Sequence, residues 1–289
     1  MNDFLLSILL GIVEGLTEFL PVSSTGHLRI VEALFGLHLH DSFWKMYTIV
    51  IQLGAILALP VYFRNRILKF LSTFPKGERG DRNFLTHPLS LTIIAFVVTA
   101  IPAWALTKVI GKNLESLWVI SLALLIGGIV MWIVDAMFTR VRVAHMEEMN
   151  LLQAIWIGAC QILSAVFPGT SRSMSTIAAG QIAGLSRPAA LEFSFFLSMP
   201  TMAVATLYDL YKTLKPGKNA MSEGNLAPLA MDAHGWIVLA IGFVVSFIVA
   251  LAVVAWFMNW VRTRGFTPFA IYRIVLGIVL IVMLMRGSL

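Results

Sequence analysis

Charge is scarce in this chain. Only 12% of its 289 residues are charged, about half the share of an ordinary globular domain. Apolar residues make up 58%, and the mean hydropathy is +0.86. A water-soluble fold of this size has too little interior to hide that much apolar surface, so an integral membrane protein is expected. Cysteine is nearly absent. Cys160 stands alone within an apolar segment, which excludes a disulfide framework and a multi-cysteine metal site and leaves a small buried residue. The opening "MNDFLLSILLGIVEG" lacks a basic n-region and a small-residue cleavage site, so it is not read as a cleaved signal peptide. No linker or low-complexity tail divides the chain, and residues 1–289 are read as one membrane domain. The net charge of +6 does not imply nucleic acid, because the basic residues sit mainly in short loops where they set membrane orientation.

What is present is a series of long apolar runs. Six are long enough to span about 30 Å of hydrocarbon: 42–62, 88–107, 115–138, 188–209, 235–260 and 267–286. Two further regions, 3–37 and 150–185, each read as an apolar helix, a break rich in proline, serine and threonine, and a second piece too short to cross (27–37 and 174–185). Each is expected to enter the membrane, turn and leave again. The stretch 212–233 is the most loop-like.

The two broken regions resemble each other. "GIVEGLTEFLPVSS" from Gly11 aligns without gaps to "GACQILSAVFPGTS" from Gly158, an offset of 147 residues (158 minus 11). The chain is thus expected to be all-α and polytopic, with repeats near 1–140 and 148–289. Three spans and one re-entrant helix–loop–helix pair per half make six spans and two pairs, and an odd number of crossings inverts the second half relative to the first. Loops 64–82, 139–149 and 261–266 carry ten basic residues against six on the opposing side, which places them in the cytoplasm and both termini outside.

Within "EGLTEFLPVSSTGH", Glu14 and Glu18 are four apart and share a helix face. Two buried carboxylates that close need a cation or a proton between them. That leaves a divalent-metal site for a phosphate substrate, a proton or sodium site in a transporter, or a structural pair at a solvated helix end. Ser23, Ser24, Thr25, Gly26 and His27 follow Pro21 in an irregular turn that exposes backbone N–H groups to an anion. A hydroxyl near an imidazole is also a minimal nucleophile–base arrangement, although His27 equally suits an interfacial anchor. In "PGTSRSMSTI", Arg172 is flanked by Thr170, Ser171, Ser173, Ser175 and Thr176, which suits a phosphate; a snorkelling arginine is the plain alternative. If the repeat brings the breaks together, Glu14, Glu18, Ser24 and His27 face Arg172 across one cavity fit for phosphoryl transfer. Gln52 and Glu192 lie within spans and either line that cavity or join helices, whereas Asp135 and Asp209 are assigned to interfaces.

These two segments resemble the signature regions of the undecaprenyl-diphosphate phosphatases, the bacitracin-resistance membrane enzymes, and the likeness runs over the whole chain. The family usually has glycine where Met174 stands, and Arg29 occupies a position expected to be apolar. The resemblance implies hydrolysis of undecaprenyl diphosphate to the monophosphate and inorganic phosphate, which recycles the carrier lipid for cell-wall synthesis. It also implies a divalent cation (magnesium or calcium), the bacterial inner membrane, a site opening to the periplasm, and a homodimer. On this reading Glu14 and Glu18 hold the cation. Arg172, Ser173 and Thr176 grip phosphate oxygens, with Ser23, Thr25 and Ser171 beside them. Ser24 or a water attacks phosphorus, and His27 serves as base or proton donor. A transporter or lipid flippase on the same inverted scaffold is the rival. A vanadium-haloperoxidase-like lipid phosphatase fits poorly, since the chain has no Lys-x6-Arg-Pro motif.

Overall fold

A computed structural model describes residues 2–35, 42–106, 116–214 and 232–287. The described residues form eleven α-helices, one short 3-10 turn at Met146–Glu148 and a single isolated β-bridge between Val143 and Leu185. In chain order the helices are α1 (Asp3–Thr17), α2 (Ser24–Leu34), α3 (Ser42–Tyr62), α4 (Arg64–Thr73), α5 (Pro88–Ala105) and α6 (Leu117–Met137). They continue as α7 (Leu151–Val166), α8 (Arg172–Ile182), α9 (Arg187–Leu214), α10 (Ala233–Thr263) and α11 (Thr267–Met285). Thr107, expected to end a span, and residues 215–231 of the expected loop lie outside the described residues, as do residues 36 and 37.

Five helices are long and apolar enough to cross a membrane: α5, α6, α9, α10 and α11. The α3–α4 pair, bent by 62°, makes a sixth if it counts as one span. Large apolar side chains face outward on these helices, among them Ile93, Ile101, Trp104, Ile126, Trp132, Val244 and Ile248. An exposed apolar surface of that extent is what lipid contact requires.

The helix starts follow local chemistry. The Asn2 side chain caps α1 by accepting from the Phe4 amide, and Asp3 sits in the first turn where the dipole favours an acid. Asn150 and Gln153 exchange side chain–backbone bonds of 3.0 Å each at the start of α7, a reciprocal cap. α4 lies within 64–82, a loop by expectation. It folds as a helix because Phe70 buries on its inner face, while Arg66 pairs with Glu192 at 2.8 Å and Glu147 at 2.5 Å. Glu192 therefore ties α4 to α9.

Two close crossings set the frame of the site. α1 packs on α10 and α7 packs on α5. A Cβ on Gly11 would come within 2.9 Å of the Gly242 carbonyl oxygen, and one on Gly158 would overlap the carbonyl of Ala95. Only small residues allow backbones that near. Ala95 and Gly242 are themselves 147 residues apart, the spacing that relates Gly11 to Gly158. α6 packs along α11, and α9 closes against α3, α5 and α8. An aromatic core that includes Phe19, Phe63, Phe195 and Phe257 fills the centre, with Phe19 and Phe195 edge to face at 5.5 Å.

Asp135, near the end of α6 as expected, is packed inside the protein. It is 3% exposed and accepts from Arg187 Nε (2.7 Å), Gln181 Nε2 (3.1 Å), the Phe266 amide (2.9 Å) and Thr267 Oγ1 (3.1 Å). It locks the start of α11 to α8 and α9. A carboxylate with four donors can be buried where a lone one cannot.

Candidate active site

Both breaks end on a serine that caps the following helix. Ser23 and Ser171 hold φ angles of 74° and 71°, the two positive values at non-glycine residues among the described residues. Ser23 Oγ accepts from the Gly26 amide and Ser171 Oγ from the Met174 amide, each at 3.3 Å. The matching caps revise the ungapped alignment by one residue. Six residues separate α1 from α2 (18–23) and five separate α7 from α8 (167–171), so Ser171 corresponds to Ser23 and Arg172 to Ser24. Ser24 and Arg172 thus open α2 and α8 rather than lying in the turns before them. The first amides of a helix have no internal acceptor, so two anion-seeking helix ends meet here.

Glu18, at the end of α1, joins the two. Ser24 Oγ donates to Glu18 Oε2 at 2.5 Å, and Arg172 Nη2 donates to Glu18 Oε1 at 3.2 Å. The Glu18 and Arg172 side chains are 6% and 12% exposed. Arg172 Nη1 is buried with no partner. Glu14 lies behind, in contact with Glu18 and 1% exposed, with its Oε1 unpartnered. A cavity of about 210 Å³ opens onto this group, lined by Glu18, Ser23, Ser24, Thr25, Ser171 and Arg172 and walled on the far side by α3 and α9.

The other expected residues stand apart from the cavity. Ser173 Oγ donates to the Leu20 carbonyl at 2.9 Å, tying the second break to the first. Thr176 Oγ1 bonds the Arg172 carbonyl (3.0 Å) and Ser194 Oγ (2.6 Å). Both are 1% exposed and do not line the cavity. Nor does His27. Its Nδ1–H donates to the Ser23 carbonyl at 2.7 Å, because a carbonyl can only accept. Its Nε2 then accepts from the Tyr272 hydroxyl at 2.6 Å, with the two rings stacked. Arg29, unexpected at its position, pairs with Glu32 at 3.3 Å.

Arg273, on α11, had no place in the reading of the sequence. It is fully buried. Its Nη1 donates to the Pro21 carbonyl at 3.1 Å, and its Nη2 contacts the carbonyls of Ala123 (3.1 Å), Gly169 (3.0 Å) and Thr170 (2.9 Å). One guanidinium thereby holds both breaks, and buried carbonyls outside a helix need such partners. Gly127 makes room for it: a Cβ there would overlap Arg273 Nη2 and lie 2.8 Å from Met174 Cε. The methyl group that replaces the expected glycine thus packs beside the guanidinium. The signal available in the sequence was a charged residue in mid-span, which by itself marks an interior position.

Fold and site together define a multi-pass helical membrane protein with a buried carboxylate–arginine–serine group at the junction of two broken helix pairs. The family model described as bacitracin resistance protein BacA matches residues 7–279, and the chain belongs to that family. Relatives named undecaprenyl-diphosphatase are similar over nearly their full length. That of Koribacter versatilis is 67% identical over 279 residues, 96% of this chain and 97% of its own. That of Rhizobium etli is 41% identical (99% and 98%), and that of Caldanaerobacter subterraneus 39% (97% and 96%).

Proposed function

We propose that this chain hydrolyses undecaprenyl diphosphate to undecaprenyl phosphate and inorganic phosphate, and that the Glu18–Ser24–Arg172 cavity is where it does so. The observation that carries the site is the unpartnered, buried Arg172 Nη1 beside a serine already bonded to a carboxylate. A buried guanidinium N–H without an acceptor awaits an anion. The terminal phosphoryl group would take that position, over the N-termini of α2 and α8. Ser24 Oγ then attacks phosphorus, and Glu18 Oε2 takes its proton. The bond from phosphorus to the bridging oxygen breaks, and undecaprenyl phosphate leaves. Water attacks the phosphoserine, phosphate departs and the serine proton is restored. His27 acts one step removed: it fixes the Ser23 carbonyl, and with it the turn that presents Ser24.

A divalent cation, magnesium or calcium, suits the Glu14–Glu18 pair, since Glu14 Oε1 has no protein partner. The described residues hold no group of three or more acids, histidines or cysteines placed to bind a metal alone. Its other ligands would be water and phosphate oxygens. When bound, it supplies positive charge against the diphosphate.

The membrane reading that goes with this keeps the two helix pairs re-entrant. α2 and α8, of 11 residues each, reach only about 17 Å. The mirrored Gly11–Gly242 and Gly158–Ala95 crossings support an inverted repeat. The basic loops would face the cytoplasm and the cavity the periplasmic side of the inner membrane. The test is phosphate release from undecaprenyl diphosphate by purified protein in detergent, with and without chelator. We expect release that chelation abolishes and a phosphoserine trapped at Ser24. A protein that only moved lipid between compartments would release none, and full turnover by Ser24→Ala would remove the serine step.

A further inference from the structure

Gln52, in mid-α3, lines the cavity on the wall opposite Glu18 and Arg172. Beyond the residues of the breaks, four polar side chains line the cavity, Gln52 and Thr201 and Thr206 from α3 and α9 and Ser164 from the end of α7, and three have their hydrogens committed. Ser164 Oγ donates to the Gln161 carbonyl (2.7 Å), Thr201 Oγ1 to the Leu197 carbonyl (2.7 Å) and Thr206 Oγ1 to Gln52 Oε1 (3.4 Å). A hydroxyl accepts as well as donates, so whichever way the Gln52 amide is turned this bond engages one of its ends. At least one N–H of Nε2 is left without an acceptor among the described residues. An amide N–H left free in a membrane-embedded cavity opposite a phosphate-binding arginine has an evident use.

We infer that Gln52 binds the lipid-attached phosphate, the one that stays on the product, with Thr206 as its positioning residue. The inference rests on the phosphatase reading of the same cavity. The reacting phosphoryl group is held at the ends of α1, α2 and α8. A diphosphate has a second phosphate, which needs donors away from those ends. The α3–α9 wall offers them in Gln52, next to the apolar side chains of Met202 and Ala205, where a prenyl chain can begin.

The test uses full-length protein in detergent. Steady-state kinetics are run on undecaprenyl diphosphate, and binding of undecaprenyl phosphate and of inorganic phosphate is measured directly. Gln52→Leu should raise KM about 10-fold to 100-fold, as loss of one hydrogen bond to a charged group implies, with kcat within about threefold. Binding of undecaprenyl phosphate should weaken by a similar factor, and that of inorganic phosphate should not change. Gln52→Glu, which keeps the acceptor for Thr206 but faces the phosphate with an acid, should be worse than Gln52→Leu. Thr206→Val should show a smaller rise in KM. Unchanged monophosphate binding in Gln52→Leu overturns the inference, as does a loss confined to inorganic phosphate. Wild-type protein that turns over nothing would instead refute the phosphatase reading, and the binding comparison would still decide the role of Gln52.

Discussion

Arg273→Met removes a side chain that grips the backbone of both breaks. The replacement has similar length and no donor, so the carbonyls of Pro21, Ala123, Gly169 and Thr170 all lose their guanidinium partner. Nη2 has two hydrogens for three carbonyls, so the set amounts to three full bonds; at about 1.5–3 kcal/mol each for bonds to a charged group, the gross loss is roughly 4.5–9 kcal/mol. Burying the guanidinium itself costs several kcal/mol, and that cost disappears with it. The net loss should fall near 3–5 kcal/mol, about 6–15 °C in apparent Tm for a chain of this size. Activity should fall further than stability explains. Ser24 and Arg172 open the helices that follow different breaks, and a misplacement of about 1 Å between reacting groups costs on the order of 100-fold. The assay is thermal unfolding in detergent beside kcat measured well below Tm. Arg273→Lys, with a single nitrogen that cannot fork to both breaks, should lie between. If Arg273→Met unfolds within 2 °C of wild type (about 1 kcal/mol) and keeps its kcat, the clamp does not exist.

Gly127→Ala should reproduce that defect in milder form, since its Cβ would displace the Arg273 guanidinium; the expected loss is about 1–3 kcal/mol with a larger fall in kcat. Adding Met174→Gly should recover part of it by removing the 2.8 Å contact with Met174 Cε, which Tm of the double variant would show. Asp135→Ala strips four donors of their acceptor and should lower stability by about 2–4 kcal/mol, seen as loosened amide exchange at the start of α11. His87 gives a pH dependence. Its Nδ1 accepts from the Leu89 amide at 3.3 Å to cap α5, and burial, with the Arg82 charge nearby, holds its pKa below the usual value. The neutral form is therefore favoured by folding. Its contribution is complete above the unfolded pKa of about 6.5 and is lost as pH falls toward the lower folded value. His87→Asn, which keeps a capping oxygen, should flatten the fall in Tm over that range.

How much of this could be read from the residues depended on how local the cause was. Apolar length and capping side chains are local, so the long helices emerge within a few residues of their expected bounds. Glu18 and Arg172 also announced themselves, because polar groups inside apolar runs are conspicuous. The role of Arg273 did not, since its partners are all backbone carbonyls, which leave no mark in a sequence. The partners of Asp135 were hidden for a related reason: two of its four donors, the Phe266 amide and Thr267, lie more than 130 residues away. The one-residue slip between Ser24 and Ser171 arose because the breaks differ in length, which a gap-free alignment hides. The partners of His27 were equally hidden: its ring bonds the Ser23 carbonyl and the Tyr272 hydroxyl, the latter 245 residues away.

The central claim is that Glu18 serves Ser24 as base and Arg172 as anchor. The most direct measurement is kcat for phosphate release by Glu18→Gln, made on protein whose Tm matches wild type. An amide cannot take the serine proton, so release should fall by at least about 100-fold to 10,000-fold at every pH. Release within tenfold of wild type would contradict the account.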